Sequence, residues 1–260
     1  MIRFSLLGSG SAGNAVLVAS PSARILIDNG LSYRRLLLRM AALGESVEQI
    51  RAVFVTHEHG DHTLGLGTLA RKLGVPVYMT EGTRAALRKG IGELPRVEII
   101  EPGEAITLDG LTVDSFSVSH DAADPVSYVV RSNGVQLGFA SDLGHVSNVV
   151  RTRLRGSHGL VLESNYCPDM LRRGKYPPSV QQRIRGRHGH LSNSDTCSLL
   201  SELAHDRLRL VVLVHISEEN NDAGLAREMA MQALAHRTGL TAPEVYVATQ
   251  DQPTELFDLT

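Results

Sequence analysis

The sequence contains no tryptophan, only two cysteines and no long apolar run. Cys167 and Cys197 are too few for a disulfide framework, and they lack the spacing of a cysteine metal site. No apolar stretch approaches the roughly 18 residues that a membrane-spanning helix needs. The start MIRFSLLGSG breaks at glycine, so we expect no signal peptide. These absences exclude disulfide-rich and membrane-spanning classes and predict a cytoplasmic protein.

A strong net charge is absent too, because 26 Lys and Arg residues stand against 28 Asp and Glu residues. Proteins that bind nucleic acid over much of their surface are usually far more basic. Any surface for nucleic acid must therefore be local. Hydrophobic residues make up 42% of the chain, which is enough for a sizeable core and argues against global disorder.

Apolar or alternating runs bounded by turn residues predict strands in both halves of the chain. They include AVLVAS, RILID, RAVFVT, VQLGFASD, HGLVLES and RLRLVVLVH. The spacing of apolar residues predicts helices over 33–43, 63–74, 192–205 and 225–238. Asp109-Gly110 predicts a hairpin turn. No linker interrupts the chain, so we expect one domain over residues 1–260, with two packed sheets and helices outside.

The segment T-H-E-H-G-D-H, residues 56–62, follows the predicted strand RAVFVT directly. It places four potential ligands within six positions, namely His57, His59, Asp61 and His62. Neutral imidazole and carboxylate suit zinc, and they also suit manganese or iron. A solvated loop with chance histidines is the alternative, and the density of ligand types argues against it. The segment therefore predicts a metal site.

This segment resembles the H-x-H-x-D-H motif of the metallo-β-lactamase fold hydrolases. The resemblance implies an α/β fold, a four-layer αββα sandwich with a dinuclear metal site. It also implies three later ligands, and His120, Asp142 and His215 each follow an apolar strand in the expected order. By resemblance, the first metal takes His57, His59 and His120. The second takes Asp61, His62 and His215, with Asp142 bridging the two ions and Asp61 positioning the attacking water.

Taken singly, each late residue has another explanation, since a buried His can be satisfied by hydrogen bonds and an Asp can cap a turn. Two supporting residues are also expected. Asp28 in LIDNG is predicted to hold a ligand histidine. Asn14 ends the tight turn GSGSAGN and is predicted to face the site.

Glu163 follows the strand-like run LVLES, and His190 comes just before a predicted helix. Nucleases of the tRNase Z type carry a similar acid and histidine. The resemblance implies that His190 transfers a proton to the leaving oxygen and that Glu163 orients it, which phosphodiester cleavage requires. The alternative is a surface Glu and a helix-start His without a shared role.

Residues 170–194 contain six basic residues and no Asp or Glu. The rest of the chain is acidic, so this segment is predicted to contact a phosphate backbone. A solvated basic loop is the alternative. Few aromatic residues are available for base stacking, so recognition of backbone and shape is expected. The six residues are Arg172, Arg173, Lys175, Arg183, Arg185 and Arg187.

Longer motifs resemble the YycJ/WalJ group of bacterial exonucleases within this fold. They are GSGSAGNA, LIDNGLS, VTHEHGDH, HDAADPVSY, SDLGH, LVLESNY, GHLSN and HISEENN. This resemblance implies a cytoplasmic enzyme that degrades double-stranded DNA from 5′ ends with two divalent ions, manganese or zinc. It also implies a role in DNA repair, with repair proteins as partners and no membrane contact.

Three alternative functions stay open. One is an RNA-processing nuclease of the tRNase Z type, although the chain lacks a recognisable protruding arm. Another is a small-molecule hydrolase of the same fold, a phosphodiesterase or a thioesterase. The third is a non-catalytic DNA-binding or signalling module, which the complete set of ligand types disfavours. The β-CASP nucleases are excluded because no large insertion separates Glu163 from His190.

Overall fold

The computed structural model describes residues 1–235 and 242–260. Its strands are β1 (Ile2–Gly8), β2 (Ala15–Ala19), β3 (Arg24–Ile27), β4 (Ile50–Phe54), β5 (Val77–Met79), β6 (Val97–Ile99), β7 (Ala105–Leu108), β8 (Leu111–Ser117), β9 (Val126–Ser132), β10 (Val135–Ala140), β11 (Gly159–Glu163), β12 (Leu210–Val214), β13 (Glu244–Val247) and β14 (Phe257–Leu259).

The helices are α1 (Tyr33–Ala42), α2 (Gly60–Thr63), α3 (Leu66–Leu73), α4 (Glu81–Ala86), α5 (Asn148–Leu154), α6 (Pro168–Arg173), α7 (Pro178–Arg185), α8 (Asn193–Leu203) and α9 (Ala223–Ala235). The four helices predicted from the sequence correspond to α1, α3, α8 and α9. Residues 236–238 of the last predicted helix lie outside the described residues. In the described part of the chain, no helix is both long and apolar enough to cross a bilayer.

The chain divides into two compact units. The first unit comprises Met1–Ser117, Ala122–Val135 and Thr249–Thr260, and the second comprises Val118–Asp121 and Gln136–Ala248. The single domain expected over residues 1–260 stays a prediction.

The first unit contains a seven-stranded sheet in the order β14-β1-β2-β3-β4-β5-β6. Its first three pairings are antiparallel, and those from β3 to β6 are parallel. Parallel strands carry their carboxyl ends to one edge of a sheet. The loops after β3 and β4 therefore leave that edge side by side.

The apolar side chains of this sheet pack with those of α1 and α3 into one buried core. The Ser32 hydroxyl accepts a hydrogen bond from the Arg35 backbone N–H and begins α1. Gly74 ends α3 in the left-handed conformation (φ 64°), as its place after the helical pattern predicted. The first unit also contains the antiparallel strands β7, β8 and β9. Asp109 and Gly110 form the predicted turn between β7 and β8, both with positive φ.

In the second unit, β10 to β13 pair in parallel. Every residue of β11 and β12 is buried, as expected for parallel strands covered on both faces. Helix α8 begins with a capping box between Ser192 and Asp195 and packs against α9. The carboxyl ends of β10, β11 and β12 lead directly into the segments that contain Asp142, Glu163 and His215.

Candidate functional site

The loop after β4 carries His57, His59, Asp61 and His62, which we call the first cluster. The His57 ring lies 4.2 Å from the His62 ring and 4.6 Å from the His59 ring, measured between centroids. His57 and His62 are each only 1% exposed. The structure thus gathers imidazoles from neighbouring positions into one group, in which His57 and His62 are buried and His59 is partly exposed.

Backbone hydrogen bonds hold this loop against the segments before β2 and after β3. The Asn14 N–H donates to the Asp61 carbonyl at 2.7 Å, and the Asn29 N–H donates to the His62 carbonyl at 2.9 Å. A Cβ atom on Gly30 would lie 1.6 Å from the Asp61 carbonyl oxygen, so this approach requires glycine.

Asp28 lies directly after β3, is 1% exposed and has a positive φ of 60°. Its Oδ1 accepts from the Thr56 N–H, and its Oδ2 accepts from the Thr56 hydroxyl and from His62 Nδ1, all at 2.8 Å. Burial raises the pKa of the Asp28 carboxyl, and the contacts with His62 and Thr56 offset only part of that rise. Because Nδ1 donates to Asp28, Nε2 is the nitrogen of His62 that can bind a metal.

Asn14 lies between two residues of the first cluster. Its Oδ1 accepts a hydrogen bond from the Gly10 N–H. The side-chain atom that faces the cluster is therefore the amide nitrogen Nδ2. Nδ2 lies 3.1 Å from His62 Nε2 and 3.0 Å from Asp61 Oδ2. One amide donor therefore holds the His62 ring and the Asp61 carboxylate side by side.

The second unit contains further ligand-type residues, which we call the second cluster: His120, Asp142, Glu163, His190 and His215. The last four offer ligand atoms that all lie within 4.8 Å of one another. Asp142 and His215 have positive φ values of 57° and 56°. Outside the turns at Asp109 and Asn133, the non-glycine residues with positive φ in the described chain are these two and Asp28. Such strain costs about 1–3 kcal/mol per residue and tends to occur at functional sites.

Glu163 is fully buried, and both of its oxygens accept two hydrogen bonds. Oε1 accepts from His190 Nδ1 at 2.7 Å and from His215 Nδ1 at 3.0 Å. Oε2 accepts from the backbone N–H groups of Leu143 at 2.8 Å and Leu191 at 3.1 Å. The sequence predicted that Glu163 orients His190, but it did not indicate the equal contact with His215. With four donors around it, this carboxylate suits an orienting role better than a ligand role.

Burial opposes the ionisation of Glu163, but His190 and the hydrogen bonds from both histidines hold its pKa below the ordinary value. Burial likewise disfavours charge on His190, yet Glu163 raises the pKa of that imidazole. Because Glu163 binds Nδ1 of both histidines, their Nε2 atoms are left for a metal or a substrate.

His120 shows the same pattern, since its Nδ1 donates to the Gly189 carbonyl at 3.1 Å. Burial lowers the pKa of His120, which favours the neutral form that binds metals. Asp142 Oδ1 lies 3.9 Å from His120 Nε2 and 3.2 Å from His215 Nδ1. In each cluster, therefore, imidazoles held at Nδ1 adjoin a carboxylate, a donor set that fits zinc or manganese.

A network of buried asparagines supports the second cluster, and the sequence analysis missed it. The side-chain amides of Asn193 and Asn221 donate to each other, both at 2.8 Å. The Asn221 amide also donates to the Ser164 carbonyl, and Asn165 Nδ2 donates to the His215 carbonyl at 2.7 Å. This network ties together the segments that carry Glu163, His190 and His215. Its only sequence signal is the asparagines in LESNY, GHLSN and HISEENN.

The predicted basic segment occupies α6, α7 and the turn after them, and all six of its basic side chains are exposed. Acids from outside the segment pair with three of them. Arg172 contacts Asp169 at 2.8 Å, Lys175 contacts Glu219 at 3.6 Å, and Arg183 Nε donates to Asp121 at 2.7 Å. The segment is therefore less positive than its own sequence indicates.

Comparison with known proteins places these features in a family. Residues 23–216 match the model of the Beta-lactamase superfamily domain. Exodeoxyribonuclease YycJ from Bacillus anthracis is 37% identical over 240 residues, which cover 91% of this chain and 90% of that protein. Exodeoxyribonuclease WalJ from Streptococcus pneumoniae is 32% identical over 263 residues, covering 99% of this chain and 98% of that protein.

A solved structure, the metallo-beta-lactamase fold protein YhfI from Bacillus subtilis, superposes with a TM-score of 0.75 at 15% identity. The match covers 98% of this chain and 100% of that one. This likeness shows the fold and confirms the αββα sandwich predicted from the sequence.

Proposed function

This chain belongs to the beta-lactamase superfamily and is a metal-dependent hydrolase, and on that basis we propose that it degrades double-stranded DNA from 5′ ends. We further propose that it uses two divalent ions, manganese or zinc, and that it acts in the cytoplasm in DNA repair, with repair proteins as partners.

The observation that carries this proposal is similarity along the whole chain to proteins named exodeoxyribonucleases. The two clusters support it chemically, because the first gathers imidazoles and a carboxylate in one loop and the second offers four ligand atoms within 4.8 Å of one another. The proposed metal ligands are His57, His59, Asp61 and His62 in the first cluster, and His120, Asp142 and His215 in the second. Divalent ions held there would acidify a water molecule and neutralise charge on the scissile phosphate.

Other residues of this chain orient the metal ligands, transfer a proton and bind the substrate phosphates. Asp28 and Asn14 orient His62 and Asp61, as their hydrogen bonds in the first cluster indicate. Glu163 holds Nδ1 of His190, whose Nε2 can then deliver a proton to the leaving oxygen. His190 suits that role because its side chain is 22% exposed, whereas Glu163 is fully buried. The basic residues that lack an acidic partner in the described chain, Arg173, Arg185 and Arg187, are the strongest candidates in their segment for phosphate contact.

The test is to incubate the metal-loaded protein with four substrates: duplex DNA labelled at one 5′ end, the single strand, RNA of the same sequence, and bis(p-nitrophenyl) phosphate. We expect duplex DNA to be shortened from its 5′ end, with manganese and zinc compared in parallel. His190→Ala should abolish most of this activity. His188→Ala, which removes an exposed imidazole two positions away, is the matched control and should retain it.

Preferential cleavage of RNA would instead support a nuclease of the tRNase Z type. Cleavage of the small phosphodiester alone would support a small-molecule hydrolase. Binding of DNA without hydrolysis under every metal condition would support a non-catalytic module, and each of these results would overturn the proposal.

A further inference from the structure

Arg88 lies in the first unit, two residues after the end of α4. It immediately precedes a short 3₁₀ turn over Lys89–Ile91. Its side chain is exposed, like that of Lys89. Nothing in the sequence patterns described above indicates a role for it, because it lies outside both clusters and outside the basic segment.

The Arg88 guanidinium lies against the backbone of Gly60, in the loop of the first cluster. A Cβ atom on Gly60 would lie 2.6 Å from Nη1, 2.7 Å from Cζ and 2.8 Å from Nη2 of Arg88. The near equality of these three distances means that the flat face of the guanidinium covers this glycine. Gly60 is flanked by His59 and Asp61, so a positive charge lies beside two residues of the first cluster.

Packing, rather than an acidic partner, places this charge. Within residues 1–235 and 242–260, Arg88 forms no ion pair. Its neighbour Arg84 differs, since it contacts Glu81 at 3.0 Å. Arg71 differs too, since it donates to the carbonyls of Ile91 and Glu93. The donors of Arg88 are therefore open to an incoming anion.

A guanidinium is planar and presents paired N–H groups whose spacing matches the oxygens of a phosphate. With one face against Gly60, the donors along the edge of the group are not covered by this glycine, and the side chain as a whole is exposed. An anion bound to that edge would lie next to the first cluster. Lys89, the next residue, would add a second positive charge.

We propose that Arg88 binds a phosphate of the substrate backbone beside the first cluster. This inference rests on the proposed function, because it takes the substrate to be a nucleic acid. It also explains Gly60, since any side chain at that position would displace the guanidinium. Gly60→Ala should therefore weaken binding in the same way as Arg88→Ala, and the double variant should bind no more weakly than the single ones.

The test measures equilibrium binding of a labelled 20-base-pair DNA duplex to the full, metal-loaded chain. His190→Ala is present in every sample to prevent cleavage. Arg88→Ala should weaken binding at least about tenfold, because a hydrogen-bonded charged contact is lost. It should also reduce the slope of log affinity against log salt by about 0.9, the value for one phosphate contact on duplex DNA. Arg88→Lys should restore most of the slope, since it keeps the charge.

Arg84→Ala is the matched control, because it removes another exposed arginine from the same region, one whose charge Glu81 already balances. We expect its affinity and salt slope to equal those of the parent. Metal content and melting temperature, measured for every variant, separate a local effect on phosphate binding from loss of metal or of fold. An Arg88→Ala variant with unchanged affinity and salt slope would overturn the inference while leaving the proposed function intact.

If the parent protein neither binds nor cleaves nucleic acid, the proposed function fails, and Arg88 can still be tested with bis(p-nitrophenyl) phosphate. A raised KM with unchanged kcat in Arg88→Ala, and no change in Arg84→Ala, would support phosphodiester binding by Arg88. An unchanged KM would overturn it.

Discussion

The first cluster draws its four ligand-type residues from six consecutive positions, whereas the second draws five from segments between residues 120 and 215. In the first, one loop after one strand carries every imidazole. In the second, the segment after β8, the carboxyl ends of three parallel strands and the segment before α8 each contribute a residue. A local motif can thus be recognised by spacing alone, but a cluster built from several strand ends exists only once the sheet has formed.

The supports of the two clusters differ in the same way. Asp28 holds a single histidine of the first cluster, and backbone hydrogen bonds hold its loop. In the second cluster, the Glu163 carboxylate holds two histidines, and an asparagine network connects the segments that carry them. Damage to one support should therefore stay local in the first cluster and spread in the second.

The largest effect is expected from His62→Ala in the first cluster. It removes a proposed ligand, so we expect loss of one of two bound ions and of nearly all turnover, with the fold retained. Metal analysis of the reconstituted variant, alongside circular dichroism, checks this. One tightly bound ion with undiminished turnover would contradict the proposed dinuclear site.

Glu163→Gln should be the most damaging change in the support of the second cluster. An amide cannot accept all four hydrogen bonds, because one of its ends is a donor that must face either two imidazole N–H groups or two backbone N–H groups. His190→Ala should reduce turnover by roughly 10²–10⁴-fold with metal content unchanged. Glu163→Gln should lose at least as much and also bind metal about 10–100-fold more weakly, because it releases His215.

Turnover and metal affinity of both single variants and the double variant test this coupling. The double variant should be little worse than the poorer single one, since residues that act as a unit are not additive. Multiplicative losses would show that Glu163 and His190 act independently. Loss of metal from His190→Ala would make His190 a ligand.

Asp28→Asn should have a smaller effect, confined to the first cluster. The amide can still contact His62 but loses the negative charge that fixes its tautomer, so metal affinity should fall about 10–100-fold. Competition with a chelator measures that affinity. Slower turnover at saturating metal would instead show that the effect of Asp28 is not limited to the metal affinity of the first cluster.

Asn221→Ala should cost about 1–3 kcal/mol in the free energy of unfolding, because the Asn193 amide loses its buried partner. We also expect turnover to fall at saturating metal, because the hydrogen bonds that connect the segments carrying His190 and His215 are lost. Ser157→Ala is the control. It removes a buried hydroxyl just before β11, at the end of that strand opposite to Glu163. Turnover is compared at temperatures where the same fraction of each variant is folded. Equal turnover in the two variants would show that the asparagine network contributes to stability alone.

The smallest effects are expected in the basic segment. Its arginines look equivalent in the sequence, but in the structure some have an acidic partner and others do not. Arg185→Ala should flatten the dependence of log affinity on log salt by about 0.9 on duplex DNA. Arg183→Ala should change it less, because Asp121 already balances that charge. Salt titrations of both variants check the difference, and equal slopes would show that the Asp121 contact does not persist on DNA.

The sequence by itself determined many of the strands and helices and the types of side chain available to bind a metal. Strand runs, helix ends, the turn at Asp109-Gly110 and the density of imidazoles in residues 56–62 all follow from patterns that span a few residues. Such patterns predict well because backbone periodicity and local spacing act on neighbouring residues.

The tertiary structure alone decided the partners. It placed His190 and His215 on the same Glu163 carboxylate, paired Arg183 with Asp121, joined Asn193 to Asn221 and laid Arg88 on Gly60. These contacts join residues about 30 to 60 positions apart, and spacing along a chain carries no information about them. They depend on which strand ends and loops the folded chain brings to the same place. For the buried groups, Glu163 and the asparagines, the reason is that a buried polar group must find a hydrogen-bond partner there.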